Sequence, residues 1–356
     1  MITNMKICMI VPDPLVKGGI ASVVNGYRGS VLEQKHEIRY VVSYRDGSKM
    51  DKLKQALYAY LDFGKVLCHA KPDIVHIHSS FGPSFYRKMP FIYIARFFKI
   101  PVVNHVHGAD FDSFYEMASR QKRWLVRKVY RKCSRFIVLS AEWKEAIAQI
   151  VPMEKIDIIE NYCVLPKAPY DTGRERDQVL FLGALEERKG CYDMPAIFEK
   201  VKKSCPQARL VMAGDGEMDK VKAAFSAKSL LPEVTFPGWV RGKKKEELMR
   251  RSAVFLFPTH YEGMPMAVLE AMSYGMGIVT TRVGGIPQLI CHGENGYLER
   301  DGDLEQIAED VISLLQDEES CRKIGLRARD EAEKRYSLEA HLQKLEQTYR
   351  KAYRKK

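Results

Sequence analysis

Glu262 and Glu270 stand eight residues apart in HYEGMPMAVLEAMSYGMGIVTT, which runs from His260 to Thr281. Val254–Pro258 reads as a strand and Thr259–Gly263 as the turn after it. Pro265 suits the first helical position, where its missing N–H costs nothing. The backbone amides of Met266 and Ala267 then point, unpaired, past the helix start, a ready site for a phosphate. The spacing can lay both carboxylates along one side of a nucleotide sugar, and a carboxylate accepts the two hydroxyl hydrogen bonds that a ribose or hexose diol offers. The plainer reading makes Glu262 a turn residue and Glu270 a solvated helix residue. The intervening Gly263, Met264 and Pro265, with a small apolar helix behind them, favour the ligand site.

Gly18 and Gly19 follow the strand ending at Val11-Pro12 and precede an amphipathic helix from Ile20. Glycine there lets the backbone approach a ligand closely. The pair does not form G-x-G-x-x-G, and no acid is placed for an adenosine ribose, so an ordinary tight turn stays open as the alternative. His105 and His107 close a strand and face the same way. His76 and His78, at the end of DIVHIHSS, form a comparable pair and read as core or supporting residues. No Asp-x-Asp stands in a suitable strand-end loop and no His/Cys group has metal-ligand spacing, so no metal is expected. Within Arg120–Lys132, the cations Arg120, Lys122, Arg123, Arg127, Lys128 and Arg131 interleave with Trp124 and aliphatic residues. That pattern suits a helix lying on anionic lipid. Its plainer alternative is a solvated helix face packed by its apolar stripe.

The elements that must position these residues alternate along the chain. Strands are expected at Ile7–Val11, Ile38–Ser43, Asp73–His78, Val102–His107, Arg135–Leu139 and Asp157–Glu160, with helices such as Asp51–Ala70 and Tyr115–Lys132 between them. The pattern stops at Pro166–Arg176 and restarts with Val179–Leu182, Arg209–Ala213, Val234–Phe236, Val254–Pro258 and Ile278–Thr281. After Gly302 it is helical: Leu304–Leu315, Ser320–Arg335, and a last helix from Leu338 with Ser337 as its cap. Such alternation predicts two α/β, doubly wound, Rossmann-like domains facing across a cleft. The expected divisions are 1–165, a linker at 166–176, 177–336, and a C-terminal helix at 337–356 packing back on the first domain.

With 356 residues and 46 % hydrophobic content the chain can fill two cores, which excludes disorder as the main theme. The most apolar stretch, Phe91–Val103, is broken by Arg96 and Lys99 and falls short of a spanning helix. The apolar run before Pro12 is too short for a secretory segment. Eight scattered cysteines without C-x-x-C read as reduced thiols of a cytosolic protein. The net charge of +12 is uneven: residues 1–165 hold 25 Lys and Arg against 15 Asp and Glu, whereas 166–356 hold 32 against 30. A basic first half suits nucleic acid, anionic membrane or a phosphorylated ligand. No recognisable nucleic-acid module accompanies the charge, so nucleic acid is not expected.

Glu262, Gly263, Pro265, Leu269, Glu270, Ala271, Met272 and Gly275 resemble the E-G-x-P-x-x-x-L-E-A-M-x-x-G block of glycosyltransferase family 4, whose members are retaining, nucleotide-sugar-dependent enzymes of the GT-B fold. Val283–Pro287 (VGGIP), Gly18-Gly19, His107-Gly108, Gly183 with Lys189-Gly190, and Ala213–Gly216 follow in family order, so the resemblance spans essentially the whole chain. It implies that Lys189 grips the donor diphosphate, as a leaving group gaining negative charge requires. It also implies that Glu262 orients the donor hexose, Glu270 holds the ribose and His107 lines the sugar site. Gly18, Gly19, Gly263, Met264, Pro265, Met266 and Ala267 would surround the donor, and Trp239 and Val240 would meet the nucleobase, unless Trp239 is a buried core residue. Where the family carries G-R-L this chain has Gly183-Ala184-Leu185, and Arg188 is the candidate replacement. The implied activity is metal-independent, cofactor-free transfer of a hexose from a UDP- or GDP-sugar to a glycan acceptor. The basic first half adds an expected lipid-linked acceptor and a peripheral place at the inner face of a bacterial plasma membrane, in exopolysaccharide, capsule or lipopolysaccharide synthesis. A nucleotide-sugar epimerase of the same fold and a non-enzymatic membrane scaffold are the alternatives.

Overall fold

The computed structural model describes residues 4–108, 111–166 and 174–353. Two compact units are present, one made of Met1–Asn161 with Leu338–Lys356, the other of Tyr162–Ser337. Unit 1 holds strands β1 (Lys6–Pro12), β2 (Glu37–Tyr44), β3 (Ile74–Ser79), β4 (Val102–Val106), β5 (Arg135–Val138) and β6 (Ile156–Ile158). Its helices before unit 2 are α1 (Gly19–Tyr27), α2 (Val31–Lys35), α3 (Lys49–His69), α4 (Pro83–Phe97), α5 (Arg120–Tyr130) and α6 (Ala141–Ala148). Unit 2 holds β7 (Glu175–Leu182), β8 (Arg209–Ala213), β9 (Val234–Thr235), β10 (Ser252–Phe257), β11 (Gly277–Thr281) and β12 (Tyr297–Glu299). Its helices are α7 (Met194–Ser204), α8 (Met218–Ala227), α9 (Lys243–Arg251), α10 (Met266–Ser273), α11 (Leu304–Gln316) and α12 (Glu318–Arg335). The chain then returns to unit 1 as α13 (Leu338–Tyr353), which packs on β3, β4 and β5.

Both sheets are six-stranded and parallel, ordered β2-β1-β3-β4-β5-β6 and β12-β11-β10-β7-β8-β9. The strand order reverses between β1 and β3 in unit 1 and between β7 and β10 in unit 2. In open parallel sheets these switch points, at the carboxyl ends of the strands, are where ligands bind. The two faces of the unit 1 sheet differ chemically. Cys8, Ile10, Val75, Ile77 and Val102 point to a hydrocarbon core filled by Phe63 of α3, Phe91 of α4 and Val126 of α5. The alternate residues Met9, His76, His78 and His105 are equally buried, on the other face.

Four local readings are corrected. Residues 167–173 of the expected linker lie outside the described residues, as do Ala109 and Asp110, while Glu175 and Arg176 already belong to β7. The expected helix Tyr115–Lys132 is a short π-helix, Asp112–Glu116, followed by a fresh start at Arg120. Ser119 makes that start, its hydroxyl accepting from the Lys122 amide. β12 is an additional edge strand, too short for an alternation signal. Pro265 is the residue before α10, with φ −72° and ψ 124°, so Met266 is the first helical residue.

Candidate active site

At the unit 2 switch point, the loops after β7 and β10 bring Lys189 against Glu262, whose carboxylate it pairs. Glu262 is 7 % exposed and Thr259 Oγ1 lies 3.4 Å from its Oε1. The two loops are joined by the backbone: the Arg188 carbonyl accepts from the His260 amide at 3.0 Å and lies 3.0 Å from the Thr259 hydroxyl. The VGGIP segment locks the same loop from below. The Gly285 amide donates to the Gly263 carbonyl at 2.7 Å, and Gly284, at φ +51°, would place a Cβ 1.8 Å from the Glu262 carbonyl oxygen. Only glycine fits there.

α10 leaves this loop at Met266. Its first-turn amides have no intrahelical acceptor, and no acidic residue or side-chain cap occupies the start. Met266, Ala267 and Glu270 are half-buried, while Gly263, Met264 and Pro265 are buried. Lys245 of α9 holds Glu270 at 2.6 Å. Each of the two glutamates singled out in the sequence therefore has its own lysine, and Lys245 is the one sequence reasoning missed. Arg188 is exposed, pairing Glu186 at 2.8 Å and donating to the Tyr261 carbonyl at 3.4 Å, so it borders the donor loop beside Glu262. Adjacent residues on a tight turn diverge, so Arg188 does not join Lys189 on Glu262. Trp239 is 43 % exposed, which sets aside the buried-core alternative, and Val240 beside it is buried.

In unit 1, β3 and β4 pair with His78 opposite His105. The two separate His-x-His pairs of the sequence thereby become one cluster. His78 Nδ1 and His107 Nε2 share a 2.9 Å hydrogen bond, and His76 Nδ1 meets the Tyr349 hydroxyl at 2.7 Å. His341 of α13 joins Tyr27 of α1 at 2.7 Å. Burial pushes His76 down to about 3 and His341 to about 4, and it holds His78 and His105 well below the usual range, with neighbouring imidazoles adding to the effect at His76, His78 and His105. All four rings are neutral at physiological pH. One ring nitrogen from each of His76, His78 and His105 lies within 4.8 Å of the others, so this trio is a group that can hold a metal ion. The expected lack of metal spacing counted neighbours along the chain, and the signal it passed over was His-x-His on two adjacent parallel strands.

Gly18, at φ 142°, precedes α1, and Gly19 is its first residue. Both line a cavity of about 530 Å³ at the unit 1 switch point. On α5, Trp124 is 61 % exposed with Lys128 stacked over its ring at 4.6 Å. Arg120 is exposed and Arg123 half-exposed. Arg127 donates to the Tyr115 hydroxyl, Arg131 to the Ile150 carbonyl, and Lys122 lies over Phe114, so these three are held by their own unit. A second apolar ridge went unread in the sequence: Met50, Leu53, Leu57 and Leu61 of α3 are all exposed, with Lys54 and Lys65 alongside. Among the described residues no helix is long and apolar enough to cross a membrane.

Comparison with known proteins decides the family. The model described as Glycosyltransferase Family 4 matches residues 19–162, and the one described as Glycosyl transferases group 1 matches 167–331. The chain belongs to glycosyltransferase family 4. This chain is 25 % identical to a glycogen synthase of Mycobacterium tuberculosis over 73 % of its own length and spans 64 % of that protein's, under two thirds of it. It is 29 % identical to the UDP-Gal:alpha-D-GlcNAc-diphosphoundecaprenol alpha-1,3-galactosyltransferase of Escherichia coli, over 71 % of this chain and 69 % of that one. Sucrose-phosphate synthase from Thermosynechococcus elongatus superimposes with a TM-score of 0.82 at 17 % identity, covering 99 % of this chain and all of that one. HepE of Anabaena, solved with UDP-glucose, gives 0.76 at 19 % identity over 96 % and 99 %. The fold of the chain is therefore GT-B, α/β with two sheets.

Proposed function

We propose that this chain is a retaining glycosyltransferase that moves a hexose-type sugar from a UDP- or GDP-sugar to a glycan acceptor carried on a lipid. The observation that carries the reading is the Lys189–Glu262 pair beside the uncapped start of α10, at the switch point of unit 2. A diphosphate placed there meets one ammonium and the free amides of a helix start, both of which favour its growing negative charge. Glu262 accepts hydroxyls of the sugar, and Glu270, oriented by Lys245, accepts those of the ribose. The bond from the anomeric carbon to the phosphate oxygen breaks through an oxocarbenium-like state. The acceptor oxygen bonds that carbon on the same face and its proton passes to the departing phosphate. Anabaena HepE, solved with UDP-glucose, supports a uridine-linked donor, and the E. coli relative, named for a diphosphoundecaprenol-linked acceptor, supports a lipid-linked one. The basic α5 and the exposed ridge of α3 support reversible docking on anionic lipid at a cytoplasmic membrane face, as in bacterial polysaccharide synthesis.

The test is release of nucleoside diphosphate from a panel of UDP- and GDP-sugars, with and without acceptor. Acceptor-dependent release is expected, with EDTA leaving the rate unchanged. Lys189→Ala and Glu262→Ala should each lower it at least 100-fold while circular dichroism stays native. Full activity in a folded Lys189→Ala variant would overturn the assignment. Loss of activity with EDTA and its recovery with zinc would turn attention to the His76, His78 and His105 trio.

A further inference from the structure

The unit 1 cavity lies outside the carboxyl ends of β1 and β3, where Pro12, His78 and Ser80 reach its wall. Its charged lining is of one sign: Lys17, Lys52, Arg87 and Lys88, with no Asp or Glu among the lining residues. Lys88 is the telling member. It is 3 % exposed, yet among the described residues its ammonium is held by neutral oxygens alone, donating to the Ser43 hydroxyl and to the Ile10 carbonyl at 3.3 Å. The nearby acids are engaged elsewhere, Asp13 with Arg45 at 2.9 Å and Asp51 in capping α3. A buried cation without a carboxylate is costly unless an anion completes it. Burial pushes Lys88 well below its usual range, and the Arg87 charge pushes it further.

Three other observations point the same way. Arg87 lies over the Tyr44 ring at 4.6 Å, and its Nε is buried with no hydrogen-bond partner. His78, buried with an unpartnered Nε2, also lines the cavity. The 15-residue α4 starts at the cavity wall with Pro83 and Ser84, without a side-chain cap or an acidic residue in its first turn. A helix start, the buried Lys88, the half-buried Arg87 and the buried His78 therefore line one space.

We infer that this cavity is the seat of a phosphorylated acceptor, whose phosphate or diphosphate lies against Lys88, Arg87 and the start of α4. The inference rests on the glycosyltransferase reading above and names the substrate class of its acceptor side. Arginine and lysine supply complementary recognition, the guanidinium a planar fork and the ammonium a point charge. Lys52 ties the cavity to α3, the helix whose Met50, Leu53, Leu57 and Leu61 are exposed. A phosphate at the end of a polyprenyl chain fits that juxtaposition, with the apolar chain beside the ridge and the anionic group in the cavity.

Binding is measured on the whole protein, without donor, by calorimetric titration with farnesyl diphosphate, farnesol and inorganic pyrophosphate. Farnesyl diphosphate is expected to bind saturably, at least 10-fold more weakly to Lys88→Met and Arg87→Gln, and unchanged to Lys189→Ala. Farnesol should not bind. Binding of farnesyl diphosphate well above pyrophosphate marks a lipid-linked phosphate, and equal binding marks a soluble phosphorylated acceptor. Wild-type affinity in a folded Arg87→Gln variant, or loss in Lys189→Ala alone, overturns the inference. Slow donor hydrolysis without acceptor, lost in Lys189→Ala, reports separately on the transferase reading.

Discussion

At the scale of single residues, the buried histidines make stability depend on pH. His76, His78, His105 and His341 all have folded-state values below the ordinary 6.5. The unfolded chain therefore binds more protons than the native one below that pH, and stability falls as the solution is acidified. Each ring can remove up to about 1.4 kcal/mol per pH unit between its unfolded and folded values. Urea midpoints should be level from pH 8 to 7 and drop clearly by pH 5.5, with His105→Phe flattening the drop. Equal midpoints at pH 7.5 and 5.5 would contradict the assignment of neutral buried rings. The histidines also mark a limit of legibility. Their pairs were plain in the sequence, but what joins 76 and 78 to 105 is strand pairing across 27 residues, which no local spacing encodes. Lys245 was hidden for the same reason, since it reaches Glu270 from another helix.

At the scale of elements, the donor loop depends on a close backbone approach. An alanine at 284 would clash with the Glu262 carbonyl and sit at positive φ, whereas one at Gly302 carries the positive φ, +81°, in open space. Gly284→Ala should destabilise unit 2 by about 1–3 kcal/mol beyond Gly302→Ala and abolish donor binding. Denaturant unfolding and calorimetry with UDP check both, and wild-type affinity in Gly284→Ala would show that the loop tolerates displacement. Most elements were legible because buried parallel strands read as continuous apolar runs and helices by their 3.6-residue period. α3 was not fully legible. It carries two apolar stripes at helical spacing, Ala56, Ala59, Phe63 and Leu67 on one side, Met50, Leu53, Leu57 and Leu61 on the other. Periodicity finds both stripes, and only packing reveals which one meets the sheet.

At the scale of the whole molecule, the uneven charge becomes a statement about salt. Docking driven by cations on unit 1 should weaken as ionic strength rises, because screening acts over about 8 Å at physiological salt. Sedimentation with anionic vesicles should exceed that with neutral ones at low salt. It should fall in Arg123→Glu with Lys128→Glu, whose side chains make no hydrogen bond or ion pair among the described residues, Lys128 only lying over Trp124, unlike those of Arg127 and Arg131. Equal sedimentation with both vesicle types would defeat docking and leave transfer untouched. The return of α13 to unit 1 has a consequence for the birth of the chain. Residues 162–337 are translated between the strands of unit 1 and the helix that covers their imidazole face. At bacterial or slower elongation rates that interval is roughly 9–35 s. Throughout it the nascent sheet shows the ribosome's surroundings a row of wet histidines on one side and a finished hydrocarbon core on the other. Unit 2, contiguous in the chain, can be complete before unit 1, whose closure waits for a helix translated after unit 2.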